Sequence, residues 1–521
     1  MACTSSDSHE REDSHEREDS PEPKGSPERK NSPERVATRS AVACCLLLVG
    51  LIAGAGSTLA TGAAAATLPN EDECPKITLE PDGSEPREDA VAVAIEPGMV
   101  LGEEDLMLLR QLIPKELWRH REVFFHEGMR IEVGPCHRRY PQPDFFRTAT
   151  ERFAGQSRID AKGNLANYTA GLPFPLSAIA DDEEAGARWA FNLEQRYVGA
   201  ALRGKFRITD LPGRVGRAQI YDGNFYYLKA AHRADLADTD YRIPSKKKTL
   251  SAAGGEFTKP FNARHLAWRQ FRPARAAERH GEPDDVFTYI PSMRKSRRAA
   301  ASWVDGLYVP RYTVSGDDGG GSMQFGEGAS INPTAGRSIA VSENMRRGFV
   351  GFTLRANAYH WRLLGERDVL APLNSSNRGY PLSDERNFGT SGLSLANDRW
   401  DLRRVVLIEG AARKKGRDVA SLVVAIDMQT QQPLYWFTRT ARGRLLDVGA
   451  LAYQFSDDLP LAPQWPGGKP ASVFLPVAAV FFDAGAGAGG WRRESFELDA
   501  TPVSKQRRQQ MMTSSSLDRG R

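Results

Sequence analysis

From Arg399 to Ala500 the chain reads as one short apolar strand after another: RWDLRRVVLIEG, ASLVVAIDM, PLYWFTRT, RLLDVGALAYQF, SVFLPVAAVFF and SFELDA. Connections such as DMQTQQP and TARG are too short to hold a crossover helix, so consecutive strands must pair antiparallel. AQIYDGNFYYLKA, DVFTYIP, GFVGFTLRA and YHWRLLGERDVLAP extend the series upstream. The expected fold class is mainly β. Alternation in RWDLRRVVLIEG sets Trp400, Leu402, Val406 and Ile408 on one side and Asp401, Arg403 and Glu409 on the other. One face of the sheet is therefore expected to be covered and the other wetter.

Helical spacing is confined to the region before these strands. EEDLMLLRQLIPKELWRHREVFF stacks Leu106, Leu109, Leu112 and Ile113, and Pro114 suits the start of a second short helix. PDFFRTATERFAG aligns Phe145, Ala149 and Phe153, with Asp144 as cap and Gly155 as exit. DDEEAGARWAFNLEQR begins with four acids, Asp181 to Glu184, where the helix dipole favours them.

The first residues have a different character. Serine recurs every six positions in SHERED, SHERED, SPEPKG, SPERKN and SPER, with no large apolar residue. Residues 1–40 are expected to be a disordered charged leader. AVACCLLLVGLIAGAGSTLATGAAAAT follows Arg35 and Arg39 with the charge, apolar and small-residue order of a secretory signal. Residues 41–66 are either such a signal, cleaved after Ala66, or an uncleaved anchor. Residues 67–98, rich in acid and proline, read as a linker. Residues 99–500 read as the folded domain and 501–521 as a disordered tail. Cleavage would leave Cys74 and Cys136, an even pair suited to a disulfide in an oxidising space.

Composition bounds the chemistry. The net charge of +4 over 521 residues makes no polycation, and no nucleic-acid partner is expected. GxGxxG at Gly485, Gly487 and Gly490 lacks the helix, strand and acid that a dinucleotide needs downstream. His120, His126 and His137 lie near one another but follow no metal-ligand spacing. With no nucleophile elbow and no phosphate-binding loop, the expectation is no enzyme, no cofactor and no metal. DVFTYIPSMRKSRR ends a strand in Arg294, Lys295, Arg297 and Arg298. These cations would either meet an anionic surface or cap a solvated hairpin, paired with Asp284 and Asp285.

GMRIEVGPCHRRYPQPDFFRTATERFAGQSRI, NYTAGLPFP, VFTYIPSMRKSRR, AYHWRLLGERDVLAPLN and RWDLRRVVLIEG resemble a bacterial domain-of-unknown-function family whose members are called outer-membrane lipoprotein-sorting proteins. The resemblance runs from about residue 100 to 500. It implies a LolA/LolB-like fold: a curved antiparallel sheet or incomplete barrel closed by N-terminal helices. It also implies a periplasmic or outer-membrane-associated place, and it brings no catalytic residues. The charged leader, the acidic segment and the glycine-rich stretch at 315–328 depart from the family pattern.

The leading expectation is a carrier that holds a lipid, a lipoprotein acyl chain or another hydrophobic ligand on the concave face. The alternative is an accessory or scaffold subunit of an envelope transport complex, its cavity filled by its own helices and its partner an envelope membrane protein. Strand alternation offers Phe225, Tyr227, Tyr289, Trp361 and Trp400 as candidate lining residues, of which only those on the inward face can serve.

Overall fold

The computed structural model describes residues 66–78, 92–211, 218–298, 309, 313–314, 339–340, 353–376, 388–414, 419–465, 467–484 and 490–517. The hexad leader, the apolar segment up to residue 65 and the stretch at 315–328 lie outside the described residues, as do Gly485 and Gly487.

Fifteen strands form one sheet. In chain order they are β1 (Val100–Leu101), β2 (Arg130–Cys136), β3 (Ala201–Leu211), β4 (Gln219–Lys229), β5 (Thr249–Lys259), β6 (Ala267–Pro273), β7 (Asp285–Ile290) and β8 (Lys295–Arg298). Then come β9 (Tyr359–Ala371), β10 (Asn397–Ala412), β11 (Ser421–Asp427), β12 (Pro433–Arg439), β13 (Leu445–Phe455), β14 (Phe474–Asp483) and β15 (Trp491–Asp499). Strands β3 to β8 form one antiparallel meander and β9 to β15 another, each strand pairing with the next in sequence. The two meanders join where β15 lies against β3, from Trp491 opposite Leu211 to Asp499 opposite Arg203. β2 adds on parallel to the start of β10. The mainly β expectation holds, and the sheet is curved and not closed.

Contacts between distant strands show how far it curls. The approach to β9 reaches the β6–β7 connection: Arg355 Nη2 donates to Glu282 O at 2.7 Å, and Asn357 Nδ2 donates to Ala276 O at 2.8 Å and Ala277 O at 2.9 Å. Those segments belong to opposite meanders.

Helix α1 (Leu106–Leu112) lies against β9, where Arg367 Nη2 donates to Gln111 O at 2.7 Å. Helix α2 (Lys115–Arg119) reaches β12, where Arg439 pairs with Glu116 at 2.6 Å, and Phe482 of β14 meets the His120 ring just before α3 (Arg121–Phe124). Helix α4 (Asp144–Arg152) buries Phe146 and Ala149. Helix α5 (Ala185–Gln195) is the best covered, with eight of its eleven residues buried. Arg188 pairs with Asp182 and Glu184 at its acidic start. Near that start, a Cβ on Gly186 would sit 2.5 Å from the Arg362 backbone, so only glycine lets α5 lie this close to β9. At its other end, Glu194 Oε2 accepts from the Ala356 N–H at 3.1 Å. The helix is thus held against β9 and the turn before it.

Three expectations are corrected. Residues 67–98 are not simply a linker, because Lys76–Thr78 pairs with Ala92–Ala94 and both Ile77 and Ile95 enter the main core. The chain at 501–517 is not a loose tail. Helix α6 (Lys505–Met511), capped by Ser504, and the turn at Ser514–Leu517 are ordered by their apolar residues: Met511, Met512 and Leu517 bury against the outer side chains of β4 to β7. Nor is the Asp401 and Arg403 side of β10 wet: both are buried, Arg403 against Asp427 at 2.8 Å. The segment carrying Arg138 and Tyr140 covers that side, which no pattern inside β10 could reveal.

Candidate ligand-binding site

Antiparallel register puts Leu202 opposite Tyr227, Ile208 opposite Tyr221, and Phe225 and Trp268 opposite Gly255. These side chains therefore share one face of the sheet. With Phe206, Phe257, Val286 and Phe496 they form an aromatic cluster, its Phe257 and Trp268 rings 5.3 Å apart. Gly255 makes the stacking possible, since a Cβ there would lie 2.5 Å from the Trp268 ring. Part of the cover over this cluster is chain without regular structure: Val309, and Ala471 to Val473 in the β13–β14 connection.

This is the face toward which the sheet curls. Leu202 and Tyr227 meet Tyr453, Phe474 and Pro476, from strands β13 and β14, around a void of about 10 Å³. Arg196, directly after α5, lines the same void and donates to Gln432 Oε1 at 3.0 Å. Side chains of the protein itself thus take up nearly all of that space.

The sequence candidates separate. Phe225 and Tyr227 belong to the aromatic cluster. Trp361 and Trp400 sit in the larger core, where their indole N–H groups donate to Ala356 O at 2.7 Å and Leu395 O at 2.9 Å. Tyr289 lies on the opposite face, packed with Ala267 and Leu517. Arg294, Lys295, Arg297 and Arg298 are exposed on and beside the edge strand β8, where like charge discourages pairing with another sheet. Arg298 pairs with Asp285, whereas Asp284 turns inward to Arg272 at 3.0 Å.

Where α5 ends, the curled face becomes charged. Glu194 lies among Arg272, Arg355 and Lys229, and burial raises its pKa although those cations lower it. The Lys229 ammonium, donating to Gln195 Oε1 at 3.2 Å, is pushed down to about 8 by burial, with Glu194 acting the other way. Clusters of shifted groups in an enclosed corner mark candidate sites. No local pattern announces this one: its members come from α5, β4, β6 and the approach to β9, and only folding gathers them.

Around this corner lies a pocket of about 600 Å³, lined by His232, Arg242, Lys247, Lys248, Arg275, Glu278 and Glu282 among others. Burial takes the His232 ring down to about 4. The three histidines close in sequence go separate ways: His126 meets Ser394 and Asn397, His137 nears Asp368, and His120 packs on Phe482. Among the described residues no group of three or more His, Cys, Asp or Glu could hold a metal. No helix of the described residues is long and apolar enough to cross a membrane. Cys74 and Cys136 are joined by a disulfide, Cα to Cα 5.4 Å.

A domain from Vibrio parahaemolyticus named for outer membrane lipoprotein sorting is similar at 12% identity and a TM-score of 0.36, over 65% of this chain and 100% of that one. A DUF1329 family protein from Desulfovibrio piger has 12% identity and a TM-score of 0.38, with the same coverage. The LolA superfamily protein NE2245 from Nitrosomonas europaea has 11% identity and a TM-score of 0.29, over 62% of this chain and 96% of that one. No curated protein matches. The model of the family described as a protein of unknown function, DUF1329, matches residues 120–311 and 340–471, more than half the length, so the chain belongs to that family.

Proposed function

We propose that the protein is a non-catalytic carrier of the bacterial cell envelope, taking a lipid, an acyl chain or another apolar molecule against the aromatic face of strands β3 to β6. The observation that carries this reading is the aromatic cluster itself: a face of Phe206, Phe225, Tyr227, Phe257 and Trp268 on an unclosed sheet, covered in part by irregular chain. Apolar area favours an apolar ligand, and irregular chain is displaced at lower cost than a packed helix. The Cys74–Cys136 bridge supports an oxidising compartment, and with the signal-like order of residues 41–66 it favours the periplasm. A scaffold is the second reading, favoured by the void of only about 10 Å³ beside Arg196.

A fluorescent fatty acid titrated into the protein separates the two. Saturable binding is expected, weakened in Phe225→Ala and Tyr227→Ala by about 1–3 kcal/mol, with Trp361→Ala little changed because its ring sits in the other cluster. Melting curves taken alongside separate lost binding from lost folding. If no lipid or sterol binds the wild-type chain saturably, the scaffold reading replaces the carrier.

The exposed Arg294, Lys295, Arg297 and Arg298 are proposed as the surface that meets anionic lipid. Phe261, 85% exposed in the turn before β6, stands at the same end of the sheet. Reversing the four cations to glutamate is expected to lower binding to vesicles containing phosphatidylglycerol, and salt should weaken the wild-type signal. Equal vesicle binding by the reversed variant would leave these residues as edge protection alone.

A further inference from the structure

The pocket at the rim is built from two connections. Residues 230–248 run from β4 to β5 and contribute Ala231, His232, Arg242, Lys247 and Lys248. Residues 274–284 run from β6 to β7 and contribute Ala274, Arg275, Glu278 and Glu282, with Pro273 at the end of β6. The strands fix both: β4, β5 and β6 are neighbours, so the connections leaving the same end of the sheet face each other.

The charge is uneven. Four cations line the pocket against two carboxylates. Among the described residues Lys247, Lys248 and Arg275 have no carboxylate within ion-pair distance, although Glu278 and Glu282 line the same space. Among the described residues Arg242 has only the exposed Asp240 as an ion-pair partner, at 3.6 Å. Four like charges around one pocket repel one another, and a bound anion removes that repulsion.

The inner wall adds a polar group of another kind. His232 lies close to the Tyr168 ring, centroids 4.6 Å apart, and its Nδ1 is 2.8 Å from Thr169 O. A carbonyl oxygen only accepts, so Nδ1 carries the proton and Nε2 of the neutral ring is left as an acceptor. Burial, together with the charges of Lys229 and Arg242, keeps this ring neutral at pH 7. The pocket therefore offers cations for an anionic group and acceptors, at His232, Glu278 and Glu282, for a hydroxyl or amine.

We propose that this rim pocket binds a phosphate ester, its phosphate between Lys247, Lys248, Arg242 and Arg275 and its hydroxyl or amine groups toward His232, Glu278 and Glu282. Guanidinium groups pair two phosphate oxygens at once, and lysines add point charge. About 600 Å³ holds a phosphorylated polar headgroup or a small phosphate ester, and it is more than bare phosphate needs. The assignment does not depend on the carrier reading, because it uses none of the aromatic face.

Calorimetric titration tests it with two probes that share the phosphomonoester: glycerol 3-phosphate, and dihexanoyl phosphatidic acid below its micelle concentration. The wild-type chain is expected to bind one equivalent of at least one probe, more weakly as salt is added. Lys247→Ala/Lys248→Ala and Arg275→Ala should each weaken it about tenfold, whereas Lys115→Ala, exposed on α2 beside the other meander, should not. Those replacements are of exposed side chains, and unchanged melting confirms the fold. Tighter binding of the phosphatidic acid identifies the ligand as a lipid headgroup; equal binding identifies a soluble phosphate ester. Saturable binding of neither probe, or binding that all the variants retain, overturns the proposal.

Discussion

Cys74→Ser is expected to lower unfolding stability by about 2–4 kcal/mol, among the largest effects of any single replacement here. The bridge closes a loop of 62 residues between Cys74 and Cys136. Chain-entropy reasoning for a loop that long gives a ceiling of about 4 kcal/mol, reached only if the unfolded chain is otherwise free. Native contacts of the same segment do not raise that figure, but they shape what is lost. Asp72 N donates to Cys136 O at 2.9 Å, Arg139 N to Glu71 at 2.9 Å, and Gly98 N to Val133 O at 2.8 Å. Ile77 and Ile95 are buried in the main core. Without the bridge this segment can open locally before the sheet unfolds. Amide exchange should therefore quicken first at 66–78, 92–98 and 130–136. Wild-type protein treated with reductant should behave as the variant does. Equal melting with and without the bridge would show that the segment is held by its packing alone.

The strands were legible in the sequence as short alternating runs, and where a turn is short, as between β11 and β12, its length forces antiparallel neighbours. The pairing of β15 with β3 was not legible, since the two are separated by most of the domain and nothing local selects the partner. The same limit explains the segment at 501–517. KQRRQQMM reads as polar chain with a frayed end, yet Tyr226 OH donates to Met511 O at 2.7 Å and Met511 buries beside it. Its partner surface exists only once β4 and β5 lie side by side. The aromatic face was half legible: alternation found Phe225 and Tyr227, but Tyr289 follows the other parity because β7 pairs Trp268 with Thr288. The charged corner was not legible at all. Glu194, Lys229, Arg272 and Arg355 each read as ordinary surface charge, and only the curl of the sheet brings them together.

Arg403→Met is expected to cost about 3–5 kcal/mol, more than a surface replacement of the same kind. Its guanidinium is 2% exposed and the Asp427 carboxylate 1%. Arg403 Nε and Nη2 donate to the two oxygens of Asp427 at 2.8 and 3.1 Å, and Nη1 donates to Arg138 O at 2.6 Å. The guanidinium also lies 5.4 Å from the centre of the Tyr140 ring, and the Tyr140 hydroxyl donates to Asp401. One side chain thus ties β10 to β11 and to the segment after β2. Methionine fills most of the space but leaves the Asp427 carboxylate buried and, among the described residues, held by Thr430 alone, through N–H and hydroxyl at 2.7 and 2.6 Å. Asp401 suffers as well, because burial already lifts its pKa to about 6 and the Arg403 charge is one of the groups that holds it down. Most of the loss is therefore the penalty of the orphaned carboxylate and not the net worth of the pair. The double variant Arg403→Met/Asp427→Asn separates the two, since position 427 then carries no buried charge, and it should recover much of the stability in denaturant unfolding. If the double variant is no more stable than Arg403→Met, the bonds to Arg138 and the contact with Tyr140 matter more than the charge.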